Sequence, residues 1–357
     1  MKIGILTFQF CYNYGAMLQA YALKVFLTRR GHDVFFVNYK PQYLSRRYKL
    51  FPFYMFENRS FSSKLGLFLH ILRNFKSRLK WMRGFKEFYN DKFEEISITH
   101  LNLLECVIVG SDQVWNPSIT NGYDDIYFGS LAKKYNVPHI SYAASCPANF
   151  VNDTFIQLIQ RFKKIGVREK HTLDLILRQG IQAYLTIDPT LLLDKADYET
   201  CAGTRRLVKE KYLFIYNLGN NVEIYSEALK IANKFSLKIV SNTSPFNYID
   251  YVYKDAGPQV FLNLISNAEY CFVSSFHGTA FSIIFQKQFL YFPFNSEKDE
   301  RVFSLLQSVG LSECIYDSLK QTLIPSVNWI HIKQSLDNLK KLSIFYLNDA
   351  INNCKDE

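Results

Sequence analysis

The segment Ser274-Ser-Phe-His-Gly-Thr279 carries the densest chemistry in the chain. An apolar, strand-like run ends there in small hydroxyl residues, a histidine follows, and Gly-Thr opens an apolar helical run. A helix start offers free amides and partial positive charge to an oxyanion or phosphate. Imidazole titrates near neutrality, so His277 stands where a general acid is needed, with Ser275, Gly278 and Thr279 around an anion. Lone histidines more often serve structure, but strand-to-helix turns are where α/β sheets hold ligands.

Three other segments pair a strand end with polar residues. Gly110-Ser-Asp-Gln-Val-Trp-Asn116 puts a carboxylate and an indole at a sheet rim. Asp112 can take a proton from an alcohol there, and Trp115 can stack on a sugar face; capping of the next helix is the plainer account. Arg168 closes the run 165–168 just before a helical stretch. Its guanidinium suits a carboxylate or phosphate, with pairing to Glu169 as the alternative. Asn13 and Tyr14, in the first loop, suit sugar hydroxyls or an anion as readily as an ordinary helix cap.

Several chemistries are disfavoured by what is missing. The first loop lacks G-x-G-x-x-G, and neither a P-loop nor a G-x-S-x-G elbow occurs. The other histidines (32, 70, 100, 139, 171, 331) lack metal-ligand spacing. Seven cysteines without a C-x-x-C pair give neither a disulfide framework nor a zinc site; Cys106 and Cys271, inside apolar runs, read as core thiols.

The elements that must hold these residues follow the grammar of a parallel sheet. Strand-like runs at 2–8 and 33–39 flank a helical pattern at 16–28, which is one βαβ unit. The alternation resumes with runs at 105–110, 137–144 and 165–168. A second series follows, with strands at 212–218, 237–241, 270–275 and 289–294 and helical patterns at 222–234, 258–267, 277–287 and 299–308. The expected architecture is α/β: two Rossmann-like domains facing across a cleft, with ligands at the carboxyl ends of strands. We place an N-terminal, acceptor-side domain at 1–195 with an insertion at about 40–92, a C-terminal, donor-side domain at 205–325, and a final helix and tail at 326–357.

The chain has 357 residues, 48% apolar and 21% charged, a globular composition long enough for two domains. No apolar run reaches the roughly 20 residues of a membrane span, and the start lacks a signal-peptide cleavage pattern, so a cytoplasmic protein is expected. The net charge of +10 is concentrated: residues 40–92 hold thirteen Lys or Arg against three acids. Within 64–88, Phe68, Leu72, Phe75, Leu79 and Met82 recur at helical spacing beside Arg73, Lys76, Lys80 and Arg83, with Trp81 among them. Such a helix either packs on the core with a solvated basic face or lies peripherally on an anionic inner membrane face. No nucleic-acid module is present, and no nucleic-acid partner is expected.

These residues together resemble the polysaccharide pyruvyl transferase family. The resemblance rests on Asn13-Tyr-Gly-Ala-Met-Leu-Gln-Ala-Tyr-Ala-Leu23, Gly110-Ser-Asp-Gln-Val-Trp-Asn116, Ser141-Tyr-Ala-Ala-Ser145 and Val167-Arg-Glu169. Asp188-Pro-Thr190, Gly257-Pro-Gln-Val-Phe-Leu-Asn-Leu-Ile-Ser266 and Ser274-Ser-Phe-His-Gly-Thr-Ala-Phe-Ser-Ile-Ile-Phe285 continue it in order. It implies a glycosyltransferase-B-like pair of domains and transfer of the enolpyruvyl unit of phosphoenolpyruvate onto two hydroxyls of a surface-polysaccharide precursor. The product is a cyclic pyruvate ketal, with phosphate released and neither metal nor redox cofactor required. By position, His277 is the implied acid or base and Arg168 the donor-binding arginine. Better-known members have Arg-Leu before the histidine, where this chain has Ser275-Phe276; Arg301 or Lys298 is the expected substitute. Asn13, Tyr14, Asp112 and Trp115 are then expected on the sugar, which is lipid-linked if the basic segment meets a membrane.

Two other classes fit the same layout. A nucleotide-sugar-dependent glycosyltransferase would bind a sugar nucleotide selectively. A non-catalytic partner would attach through residues 40–92 and survive loss of His277 and Arg168.

Overall fold

The computed structural model describes residues 1–51, 53–56, 60–219, 221–243, 246–319 and 324–355. The side chains of Phe53, Phe61, His70 and Lys298 also lie outside the described ones. The chain divides into two compact units, one made of 1–192 with 340–357, the other of 193–339.

The first unit holds β1 (Lys2–Leu6), β2 (Asp33–Asn38), β3 (Glu95–Ser97), β4 (Cys106–Val109), β5 (His139–Ala144), β6 (Lys164–Val167) and β7 (Tyr184–Leu185). All pair in parallel, in the order β3-β2-β1-β4-β5-β6-β7. The second holds β8 (Tyr212–Tyr216), β9 (Lys238–Ser241), β10 (Tyr251–Val252), β11 (Tyr270–Val273) and β12 (Gln288–Tyr291), again parallel, ordered β10-β9-β8-β11-β12. Every residue of β4, β5 and β8 is buried, as parallel strands covered by helices on both faces require. The strand order reverses between β1 and β4 and again between β8 and β11, and such switch points open a crevice at the carboxyl ends.

Helix Tyr14–Thr28 starts two residues earlier than the periodicity places it, because Asn13 Oδ1 accepts from Ala16 N at 3.1 Å and caps it there. Eleven of its fifteen residues are buried, since it lies between the sheet and the segment Pro189–Leu192. The short edge strands β3 and β10 carry too little alternation to be visible in the sequence.

The final helix, Trp329–Asn352, begins in the second unit and from Lys340 belongs to the first. There Tyr346 Oη donates to Ser141 O at 2.7 Å, and Ser343 Oγ accepts from Ile187 N at 2.9 Å. All seven cysteines are free thiols, Cys106 and Cys271 buried among them. The basic segment is not one helix but two, Phe61–Arg73 and Phe75–Lys92, broken at Asn74. Ile71, Phe85 and Phe88 turn inward from them, whereas Phe68, Leu72 and Leu79 of the expected core stripe are exposed.

Candidate functional site

At the switch point of the second sheet, β11 is followed by Ser274 and Ser275, and helix Phe276–Ile284 begins. Ser275 is extended, and its Oγ accepts from Gly278 N at 3.1 Å, the bond of a helix cap. A Cβ on Gly278 would meet Ser275 Oγ at 2.9 Å and Tyr216 and Val273 at 3.0 Å, so the turn seats this close to β8 and β11 only with glycine. His277 is thereby held half-buried in the first turn, edge-on to the Phe276 ring at 5.2 Å.

Behind it lies a web of neutral groups. Ser274 Oγ donates to Asn217 Oδ1 at 3.0 Å and accepts from Leu218 N at 2.9 Å. Asn217 Nδ2 donates to Asn221 O at 3.0 Å, and Asn242 Oδ1 accepts from Asn217 N at 3.1 Å. These bonds pin the loops after β8, β9 and β11 to one another. Asn217 and Asn242 escaped the sequence reading; their only signal was an Asn near the end of the run 212–218 and another just past the run 237–241.

Two expectations change here. Thr279 is fully buried, and its Oγ1 donates to Ser275 O at 3.0 Å, so its hydroxyl serves the helix rather than a donor. Gly278 is likewise buried and acts through its missing side chain. Arg301 stands half-buried in the first turn of helix Glu300–Val309, near enough to Tyr291 to oppose the burial and the Asp299 hydrogen bond that push that phenol upward. Asp299 closes the loop after β12 by accepting from Tyr291 Oη, Phe294 N and Ser296 N at 2.6 to 2.9 Å.

In the first sheet, the carboxyl ends of β6 and β7, beyond the switch point, are built from charge. Arg168 Nη1 lies 2.7 Å from Asp188 Oδ2 and its Nε 3.1 Å from Glu169 Oε1, with the arginine side chain 4% exposed. Ser111 Oγ donates to Asp188 Oδ2 at 3.2 Å, Thr190 Oγ1 to Asp188 Oδ1 at 2.8 Å, and Ser145 Oγ to Glu169 Oε1 at 2.6 Å. Burial alone would lower the Arg168 pKa; Glu169, Asp188 and Asp112 outweigh it and hold the guanidinium above its ordinary range. The arginine therefore presents almost no surface to a ligand. It ties together the ends of β4, β5 and β6, and the pair with Glu169, the alternative read from the sequence, is a buried one.

Asp112 is half-buried, has φ +70°, and accepts from Gln113 N through Oδ1 at 2.8 Å. Gly110, two residues before, has φ +110°, and a Cβ on it would collide with Tyr142 O. Trp115 is not at a rim. It is fully buried, donates from Nε1 to Tyr127 O at 2.8 Å and stacks on Phe128, which rules out contact with a sugar. Tyr14 is also buried, stacked on Phe85 at 5.2 Å, and leaves exposed Asn13 as the accessible member of that pair.

A cavity of about 380 Å³ opens instead beside the loops that follow β1 and β2. Tyr12, Tyr48 and Tyr89 supply ring faces to it, and Lys40, Lys49 and Lys86 supply positive charge. Lys40 is anchored by Glu95 at 2.9 Å, 5.0 Å above the Tyr89 ring. Rings with flanking ammonium groups suit an anionic sugar. Only the clustering of aromatic and basic residues hinted at this in the sequence. A larger cavity, about 730 Å³, lies by the amino ends of β4 and β5, beside Glu105 and His139, away from the strand ends that carry chemistry in such sheets. Among the described residues, no group of three or more His, Cys, Asp or Glu is placed to hold a metal ion.

Solved structures share this fold over nearly the whole chain. One from Listeria monocytogenes, described as a UDP-N-acetylglucosamine 2-epimerase, is 10% identical, with 97% of this chain and 94% of that chain covered and a TM-score of 0.54. Arabidopsis thaliana UGT89C1 complexed with UDP-L-rhamnose is 8% identical, with 99% and 98% covered and a TM-score of 0.50. At such identities the likeness concerns the fold, two Rossmann-like domains of the glycosyltransferase-B-like kind. A search of curated protein sequences finds no match. The model of one family, described as polysaccharide pyruvyl transferase, matches residues 13–296, a span that holds the Asn13 cap, the Arg168 ion pairs and the His277 turn. The chain belongs to the polysaccharide pyruvyl transferase family.

Proposed function

We propose that the protein transfers pyruvate from phosphoenolpyruvate to a sugar of a surface-polysaccharide precursor, such as a capsular or exopolysaccharide unit, with His277 as general acid. The observation that carries this reading is the half-buried imidazole in the first turn of helix Phe276–Ile284, at the switch point of a parallel sheet.

The chemistry needs one proton and one place for a dianion. His277 delivers its proton to C3 of the enol ether, leaving positive charge at C2. A sugar hydroxyl adds to C2 and releases its proton, and phosphate departs with the C–O electron pair. The second hydroxyl closes the ring at C2; its proton balances the one consumed, so a diol and phosphoenolpyruvate become ketal and hydrogen phosphate. The helix start beneath His277 stabilises the departing phosphate, and the neutral web of Asn217, Ser274 and Asn242 puts no carboxylate against it. Arg301 takes the place of the arginine missing before the histidine. No metal or redox cofactor enters. Arg168 acts as a positioning residue, and the lysine-lined cavity, with Asn13 and Asp112 on neighbouring loops, receives the acceptor.

Thermal unfolding with phosphoenolpyruvate, phosphate, UDP and CMP is the first test. Phosphoenolpyruvate at 100 times its dissociation constant should stabilise the protein by about 2.7 kcal/mol. Selective stabilisation by a nucleotide would overturn the reading in favour of a nucleotide-sugar glycosyltransferase. His277→Gln should keep its Tm and lose about 10²- to 10⁴-fold in ketal formation. In deuterated water the ketal methyl group should carry one deuterium; none would remove the proton-transfer step.

A further inference from the structure

We propose that helices Phe61–Arg73 and Phe75–Lys92 form a docking face for an anionic lipid bilayer. The first helix turns its large apolar residues outward: Leu65, Phe68, Leu69 and Leu72 are 43 to 57% exposed. Their spacing of three and four makes one continuous stripe, while Ile71, 7% exposed, lies about 110° round the helix from its centre. A step of about 100° per residue puts exposed Lys64 and Arg73 on the two flanks of that stripe. The second helix buries Phe85 and Phe88 and presents exposed Lys76, Lys80 and Arg83 on its other side, with Leu79 at 41% among them. A cluster of this size is unusual on the surface of a free monomer.

Charge decides the occupant. A second copy would bring the same surplus, eight Lys or Arg against two acids along the two helices, against itself, and like charges oppose such a contact. Nucleic acid would use the lysines but leave four large apolar side chains in water. A bilayer interface with anionic headgroups satisfies both, leucines among acyl chains and cations at the phosphates. No helix among the described residues is long and apolar enough to cross a membrane, so the contact is peripheral through this face. The face is independent of the reaction proposed above. It does share Lys86 and Tyr89 of helix Phe75–Lys92 with the lysine-lined cavity, so docking would bring that cavity to the membrane plane.

The full chain should co-sediment with phosphatidylglycerol vesicles at low salt and stay in solution with phosphatidylcholine. Leu65→Ser/Leu69→Ser/Leu72→Ser should weaken binding at least tenfold, and Arg73→Glu/Lys76→Glu/Arg83→Glu by about fivefold or more per residue. Circular dichroism and thermal unfolding confirm that each variant is folded. Absence of vesicle binding at low salt overturns the proposal. So does binding untouched by the serine variant. An oligonucleotide complex or a concentration-dependent dimer without vesicle binding overturns it in favour of those partners.

Discussion

The carboxyl ends of the two sheets carry opposite chemistry, after β6 and β7 in the first and after β8 and β11 in the second. At the carboxyl end of the first, Arg168 is held by Asp188 and Glu169, and hydroxyls of Ser111, Ser145 and Thr190 occupy further carboxylate positions. At the end of the second, Asn217, Asn242 and Ser274 bond to neutral partners among the described residues, and the half-buried His277 follows three residues after Ser274. A charge sealed among its counter-charges organises loops but offers little to a ligand. Neutral groups cost less to bury and leave the field of a helix start unopposed. The first end is thus a brace, and the second is where the proposed reaction would meet its anion.

Removing the brace is the strongest way to break this comparison. Arg168→Ala leaves Asp188 and Glu169 buried without their cation and should cost about 3–5 kcal/mol by denaturant unfolding. If the variant were as stable as wild type yet lost phosphoenolpyruvate binding, the arginine would be a ligand contact after all.

A second histidine sharpens the contrast. His139, 1% exposed, has Nδ1 2.8 Å from Val137 O, and burial lowers its pKa to about 4. An unfolded histidine titrates near 6.5, so above that pH both states are neutral and the contribution is complete. As pH falls toward 4, the unfolded chain takes a proton that the folded one refuses, and up to about 3 kcal/mol of stability is lost. His139→Gln should flatten the stability profile across that window; coincident profiles would show that His139 opens to water before it titrates.

The smallest effects separate the two capped helices. Asn13→Ala and Ser275→Ala should each cost about 1 kcal/mol of stability, since each deletes one cap hydrogen bond. Only Ser275→Ala should also depress turnover beyond what the lost stability explains, because its helix carries His277. Equal activity losses would mean that the first loop contributes as directly as the second.

Periodicity placed several helices closely. Pattern placed 258–267 and 299–308 within about a residue of the observed bounds, Pro258–Asn267 and Glu300–Val309. It placed one helix across the break at Asn74 because apolar spacing runs on through a residue whose backbone leaves the helix. The His277 turn was legible because strand, cap, glycine and helix are contiguous there. Trp115 was misread for the complementary reason. Its distance from a strand end says nothing of which way the indole turns, and the packing of Phe128 and Phe155 turns it inward.

By itself, then, the order of residues determined the parallel α/β alternation, the family and the histidine turn. All three are local patterns of spacing and capping, carried by residues adjacent in the chain. Only the tertiary structure decided that Arg168 is sealed between Asp188 and Glu169, that Trp115 and Thr279 are core, and that Leu65, Leu69 and Leu72 face outward. Burial and ion pairing depend on what a distant segment brings alongside. A guanidinium twenty positions from its carboxylate has no partner until the sheet is assembled.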